Sequence, residues 1–292
     1  MTRALILDFD GSVQGLAESD SISLQHHQES IRFGCTLADL RALNEEIPAP
    51  PPVVFLGSGD YHHVSYLLIQ RLRDAGKPIQ IVVFDNHPDN MRYPFGIHCG
   101  SWVAHVSRLP FVTCVHVLGI TSNDVEGLHV WENHLRPLHA GRVRYWCIGP
   151  DLRALRRLGI RHSQSFESAG NLLDRFAGES RTWKEPVYLS IDKDVLARSE
   201  VRTNWDQGVM TLEDLEHGID MIRNLVIASD VTGEVSSYQF ASLWKRILTR
   251  LDRQPEVPAD LLSSWQQQHQ AVNQRLLSRL ALTTPASTAQ IR

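Results

Sequence analysis

The chain has 292 residues and a mass of 33.0 kDa, with 42% hydrophobic and 21% charged residues, enough for one large α/β domain or two small ones and too apolar for wholesale disorder. A formal charge of −4 with no basic block sets aside a dedicated nucleic-acid binder, and no apolar run reaches the roughly 18 residues of a membrane-spanning helix. The opening MTRALILDFDG turns acidic too early for a secretory signal, and Cys35, Cys99, Cys114 and Cys147 form no Cys-x-x-Cys pair, so a cytoplasmic, reducing setting is expected.

In chain order, short apolar runs at 4–7, 53–56, 79–84, 112–118, 143–148, 187–191 and 225–228 predict strands. Several are rich in Val and Ile without polar alternation, which suits strands buried on both faces. Between them, helical spacing predicts helices over 62–74, 99–108, 151–158, 172–177, 212–223 and 242–251. A last helix from Pro258 carries Leu261, Leu262, Trp265, Val272, Leu276 and Leu277, and its tail is expected to fray. The proline-rich stretch 46–52 reads as a loop within one domain. The expected organisation is therefore a single α/β domain over 1–255, then a C-terminal helix and flexible tail over 256–292. Strands alternating with helices point to a parallel sheet covered on both faces, whose ligands lie beyond the carboxyl ends of the strands.

Fourteen histidines call for a reading of their positions, because histidine is the commonest metal ligand. The strongest signal is Asp85-Asn86-His87-Pro88-Asp89, directly after the run IQIVVF. Side chains alternate along an extended chain, so Asp85, His87 and Asp89 leave on one side. Two carboxylates and an imidazole crowded at a buried strand end are costly unless a cation sits between them; a hydrogen-bonded polar loop is the alternative. The run VYLSIDKD repeats the pattern, with Asp192 and Asp194 on one face and Lys193 on the other. The third signal is Gly57-Ser58-Gly59-Asp60-Tyr61-His62-His63, which follows an apolar run and opens a helix. On a helix adjacent histidines diverge, so one of His62 and His63 faces the cluster. Four carboxylates and two imidazoles suit two divalent ions, and an oxygen-rich set without thiolate favours manganese-like ions. Paired ions lower the pKa of a bridging water and supply a hydroxide nucleophile near neutral pH.

These three motifs, in this order, resemble the ureohydrolases: arginase, agmatinase and formiminoglutamase. The resemblance runs over about residues 53–236. It implies a three-layer α/β/α fold with a mostly parallel, eight-stranded sheet, a binuclear manganese centre, and a trimeric or hexameric homo-oligomer. It assigns the ligand positions to His62, Asp85, His87, Asp89, Asp192 and Asp194. His98, in Ile97-His98-Cys99-Gly100, resembles an active-site histidine that assists proton transfer, a role Asp89 could share. Glu234, in Thr232-Gly233-Glu234-Val235, resembles a carboxylate that holds the guanidinium group. The implied activity is hydrolysis of a linear carbon–nitrogen bond in a small guanidino or amidine substrate by attack of a metal-bridging hydroxide. The specificity segments depart from arginase and agmatinase. At Ile148-Gly149-Pro150-Asp151 only Asp151 matches the acidic residues that read a substrate amine, and the loop around Trp205, expected to overhang the metal site, has changed chemistry. Two other readings remain. Leu7-Asp8-Phe9-Asp10-Gly11-Ser12 resembles the first motif of haloacid-dehalogenase-type phosphatases, with Asp8 as nucleophile. A metal-binding protein of the arginase fold that has lost catalysis is the other.

Overall fold

A computed structural model of the protein describes residues 4–73, 76–251 and 257–281. In chain order the strands are β1 (Ala4–Asp8), β2 (Ser19–Ser23), β3 (Gly34–Cys35), β4 (Val53–Ser58), β5 (Ile79–Phe84), β6 (Ile97–His98), β7 (Val112–Ile120), β8 (Val143–Ile148), β9 (Gln164–Phe166), β10 (Val187–Asp192) and β11 (Val226–Glu234). The helices are α1 (Gln28–Ile31), α2 (Leu37–Glu46), α3 (Ser65–Gln70), α4 (Trp102–Val106), α5 (Leu135–His139), α6 (Arg153–Arg157), α7 (Ala169–Ser180), α8 (Leu212–Ile222), α9 (Leu243–Leu251) and α10 (Ala259–Ala281).

Among the described residues, nine strands form one sheet in the order β2-β1-β4-β11-β10-β5-β7-β8-β9. Every ladder in it is parallel. All seven apolar runs became strands of this sheet. The sheet has nine strands rather than eight, and the two that no apolar run announced, β2 and β9, are its edges. Their sequences, SDSIS and QSF, contain no buried residue, so no hydrophobic signal marks them. The pair β3 and β6 is antiparallel and stands apart from the main sheet.

The alternation of side chains along each strand divides the core into two layers. Along β5, Ile79, Ile81 and Val83 join one cluster, with Leu67 and Leu68 of α3 and Trp102, Val103 and Val106 of α4. Val82 and Phe84 join the other, with Leu172 and Phe176 of α7, Leu215 and Ile219 of α8, and Leu276 and Leu280 of α10. Each such buried side chain contributes about 1.5–3 kcal/mol of transfer free energy, which is why a strand reading IQIVVF is stable only between two helical layers. Helix α8 starts at Thr211, whose hydroxyl accepts from the Asp214 amide while the Asp214 carboxylate accepts from the Thr211 amide. It lies close on the sheet because residue 218 is glycine: a Cβ there would come within 2.6 Å of Phe84 Cζ.

The expected boundary at 255/256 and the end of the tail lie outside the described residues. Helix α10 itself is part of the second core layer through Val272, Leu276, Leu277 and Leu280. Among the described residues no helix is long and apolar enough to cross a membrane.

Candidate metal centre

The sheet order decides where the three acidic and histidine motifs meet. The chain passes from β4 to β5, moves outward through β7, β8 and β9, then returns to insert β10 and β11 between β4 and β5. Segments more than a hundred residues apart in sequence therefore end side by side at the carboxyl edge, where the direction of the chain reverses and parallel sheets bind ligands.

The segment after β4 is a 3-10 helix over Gly59–Val64 rather than the start of an α-helix. Its three residues per turn separate His62 and His63 by about 120°. His62 faces the carboxylates. His63 is buried outside the cluster, where burial pushes its pKa well down. His62 Nδ1 lies 3.2 Å from Asp85 Oδ2, 3.0 Å from Asp89 Oδ2 and 3.5 Å from Asp192 Oδ2. On the far side of the ring, Nε2 is 2.9 Å from Ser190 Oγ, which donates to Asp230 Oδ1 at 2.8 Å. Tyr188 donates its phenolic hydrogen to Asp230 Oδ2. Ser190 gives its proton to Asp230, so it accepts from His62. That assigns one ring proton to Nε2 and turns Nδ1 to the carboxylates, where it is the nitrogen that could hold either a second proton or a cation.

His87 is held in the same way from the other side. Its Nδ1 is 2.9 Å from Asp194 Oδ2 and 3.6 Å from Asp85 Oδ1, and its Nε2 is 2.8 Å from Asp206 Oδ1. The backbone amides of His87 and Asp194 donate to Asp85 Oδ1 and Asp192 Oδ1 at 2.7 and 3.0 Å, and the Asn86 amide donates to Asp194 Oδ1 at 3.0 Å. Two triads result, His62–Asp85–Asp192 and Asp85–His87–Asp194. Within each, one donor atom per residue lies within 4.8 Å of the others. Asp85 belongs to both.

Asp89 is placed differently from the other carboxylates. Its backbone has φ +46°, its Oδ2 accepts from the Trp102 indole at 2.7 Å, and it belongs to neither triad. Gly233, at φ +89°, makes room on the opposite side: a Cβ there would stand 2.4 Å from Asp192 Oδ1 and 2.6 Å from the Lys193 amide nitrogen.

In this cluster carboxylates outnumber the cationic groups that face them. Burial, then the charge of Asp85, raises the pKa of Asp89 to about 7 and that of Asp192 to about 6. Burial and Asp192 drive Asp194 well up. Burial would raise Asp85 too, but His62 and His87 outweigh it and hold this carboxyl below its usual range. Burial opposes protonation of His62 and His87, yet the surrounding carboxylates raise both well above the ordinary imidazole value. His62 Nδ1 and Asp85 Oδ2 are buried and make no hydrogen bond. Four buried carboxylates sharing two imidazoles, with two unpartnered donor atoms aimed at one another, fit a pair of divalent cations. The set contains nitrogen and oxygen only, as hard or borderline ions prefer.

The triads form the floor of a cavity of about 450 Å³. His98 lines its wall; the Gly100 amide donates to His98 Nδ1 at 2.9 Å, and burial pushes the pKa of His98 down to about 3, so its imidazole is neutral. Trp205 and Asp206 overhang the triads, with the Trp205 ring 6.1 Å from that of His87. Away from the floor, the cavity is bordered by Asp124, Glu132 and Asn133.

Two residues expected at the site are elsewhere. Glu234 does not line the cavity. Its carboxylate is fully buried, accepts from Lys193 Nζ and from Asn273 Nδ2 of α10, and faces His269 at 3.4 Å. Lys193 opens the 3-10 turn Lys193–Val195 that follows β10, and its Nζ turns away from the triads to donate to Glu234 and Asn273. Asp151 is exposed and turned to Arg153, because the loop after β8 lies outside the cavity; the acidic residues that do reach it follow β7. Asp8 and Asp10 are also occupied locally. Asp8 accepts from the Gly11 amide and Gln25, and buried Asp10 accepts from Ser12, Ser236 and Arg32. Sequence reading missed Ser190, Asp230 and Asp206. The first two carried a signal, since polar residues inside apolar strands need partners; Asp206 carried none.

No family model matches the chain. An uncharacterized protein from Thermotoga maritima is 29% identical over 247 residues, 82% of each chain. Among solved structures, the chain is similar to the proclavaminate amidino hydrolase of Streptomyces clavuligerus, with a TM-score of 0.55 at 12% identity over 97% of this chain and 93% of that one. It is similar to arginase from Bacillus subtilis, with a TM-score of 0.55 at 11% identity over 99% and 100%. It is also similar to formimidoylglutamase from Bacillus subtilis, with a TM-score of 0.52 at 12% identity over 97% and 87%. At these identities the likeness is one of fold, and it places this chain among proteins with the arginase-like, three-layer α/β/α architecture.

Proposed function

We propose that this protein is a binuclear metal-dependent hydrolase of linear carbon–nitrogen bonds in a guanidino or amidine compound, of the ureohydrolase type. The observation that carries the reading is the sharing of Asp85 between two buried triads on the floor of a cavity. Structural neighbours named as amidino hydrolase, arginase and formimidoylglutamase support the class of reaction. His62, Asp85 and Asp192 would hold one ion and Asp85, His87 and Asp194 the other, with Asp89 beside them. Manganese suits the oxygen-rich donor set. Bound at this position, the pair would supply an activated water for attack on a trigonal carbon and a positive field for the charge that develops there.

The chain's own residues do the rest. Ser190 and Asp230 fix the orientation of His62, and Asp206 fixes His87. His98, whose Nδ1 accepts from the Gly100 amide, would hydrogen-bond the leaving nitrogen through Nε2–H, and the Asp89 carboxyl, whose pKa is pushed up to about 7, would deliver the proton. Asp124 and Glu132 make the far wall acidic, which suits a cationic substrate. Trp205 covers the floor and limits water access.

The test is elemental analysis of the purified protein together with an assay of urea or ammonia release across a panel of guanidino and amidine compounds. The expected result is close to two manganese ions per chain, product from at least one compound, and loss of activity on chelation. Unchanged turnover by fully demetallated protein would overturn the proposal, as would full occupancy with no product across the panel.

A further inference from the structure

A second group of metal-ligating side chains stands on elements that contribute nothing to the cavity. His26 and His27 lie in a 3-10 turn over Gln25–His27, directly after edge strand β2. Glu46 is the last residue of α2. His26 Nε2 is 2.9 Å from Glu46 Oε2 and His27 Nε2 is 2.7 Å from Glu46 Oε1. The two rings lie face to face at an angle, 4.3 Å between centroids. One donor atom from each of the three residues falls within 4.8 Å of the others. Three side chains from two separate elements thus converge through the same ring nitrogen and both oxygens of one carboxylate. His27 is largely shielded, with 13% of its side chain exposed, whereas His26 and Glu46 open to solvent at 60% and 45%.

We infer that His26, His27 and Glu46 form a surface site for a single borderline transition-metal ion such as zinc. Two imidazoles and one carboxylate, with further positions open to water, are a zinc-type donor set. In tetrahedral zinc sites with bonds of about 2.0–2.1 Å, donor atoms stand roughly 3.3 Å apart. The present nitrogen–oxygen distances therefore need to open by only a few tenths of an ångström as the ion replaces a shared hydrogen. The rim cluster of Asp85 and Asp192 is richer in carboxylate and selects for harder ions, so the two sites differ in ion preference. A bound ion would tie the turn before α1 to the end of α2. That turn leads within a few residues to Arg32, which is hydrogen-bonded to Asp60, and to Phe33, whose ring packs on His98. The site does not depend on the proposed activity, and either can fail alone.

The test uses the full chain saturated with manganese and titrated with zinc or cobalt, read by equilibrium dialysis and, for cobalt, by the visible absorption of a low-coordinate ion. The wild type should bind one more ion than the variants Glu46→Gln and His27→Ala at micromolar free metal, and each variant should weaken that step on the order of tenfold or more. Exchange into the buried centre would occur equally in all three proteins and cancels in the difference. Zinc should also raise the melting temperature of the wild type more than that of either variant. Equal uptake by wild type and both variants would overturn the inference. So would an extra step in the wild type that needs millimolar metal.

Discussion

Two buried charged clusters sit on either side of one short loop, Asp192-Lys193-Asp194, and they are satisfied in opposite ways. Behind the loop, Lys193 neutralises Glu234, and Asn273 and His269 of α10 complete the surroundings. Burial lowers the pKa of Lys193 and works against ionisation of Glu234, but Lys193 holds that carboxyl below its ordinary value. In front of the loop, Asp85, Asp89, Asp192 and Asp194 share only two imidazoles. Both clusters contain buried polar atoms without a hydrogen-bond partner, Glu234 Oε2 and His269 Nδ1 behind the loop and His62 Nδ1 and Asp85 Oδ2 in front. What differs is charge, since a carboxylate matched by a lysine is part of the fold, whereas four carboxylates facing two imidazoles call for a cation. The difference separates Glu234 from the site, although its position at the end of β11 suggested otherwise.

The contrast can be broken most severely at Asp85. Asp85→Asn removes the one ligand common to both triads, and activity should fall by on the order of 10⁴-fold, about 5.5 kcal/mol of transition-state stabilisation. Metal analysis should show loss of both ions. Retention of two tightly bound ions would mean that Asp85 is not shared. The opposite cluster should respond through stability instead. Lys193→Met strands Glu234 in the interior, which should cost about 3–5 kcal/mol in denaturant melts. The double variant Lys193→Met with Glu234→Gln should recover part of it, and strict additivity would show that the two groups do not act as a pair.

Acidity sharpens the comparison further. Without a bound ion, burial and then the charge of Asp85 push Asp89 up to about 7 and Asp192 up to about 6 from the ordinary 3.8. The folded state therefore holds their protons more tightly than the unfolded chain does. Their stabilising contribution is complete below pH 3.8 and disappears as the pH rises through about 7. His62 and His87, also raised, act in the same direction at higher pH. Asp85, lowered, opposes them only near and below 3.8. Asp194, also raised, adds in the same direction as Asp89 and Asp192, so stability of metal-free protein should fall by on the order of 4 kcal/mol between about pH 5 and 7.5. Manganese should flatten or reverse this trend, because it binds the ionised carboxylates. A rise of stability with pH in the absence of metal would contradict the crowding described above. The smallest effect belongs to Ser190→Ala. It removes the partner that orients His62 and should weaken metal binding by about 10–100-fold; because it also leaves His62 Nε2 and Asp230 Oδ1 without this buried partner, it should cost about 1–3 kcal/mol in the metal-free protein. Unaltered metal affinity would show that Ser190 does not orient this ligand.

Much of this was legible in the chain itself. The runs at 79–84 and 187–191 announced strands buried on both faces, since only such strands lack polar alternation. The motifs placed Asp85 with His87, and Asp192 with Asp194, at the ends of these strands, although β5 stops at Phe84 and Asp194 lies in the 3-10 turn Lys193–Val195, so turns rather than the two-residue period aim them together. The edges β2 and β9 were not legible, because a strand paired on one side and wet on the other has no apolar run to betray it. His62 could not be distinguished from His63 by spacing alone. The choice rested on a turn that became a 3-10 helix when its residues packed over the sheet.

By itself the sequence determined the alternating architecture and the chemical types gathered at the strand ends, because periodicity and side-chain chemistry are local properties. It did not determine that β10 and β11 slot between β4 and β5, which brings Asp192 beside Asp85. Nor did it determine that Lys193 claims Glu234, that Asp206 reaches His87, or that Asp124 and Glu132, rather than Asp151, border the cavity. Those are contacts between segments distant in the chain. Only the packed sheet, by fixing which strand ends are neighbours and which buried charges meet a partner, could decide them.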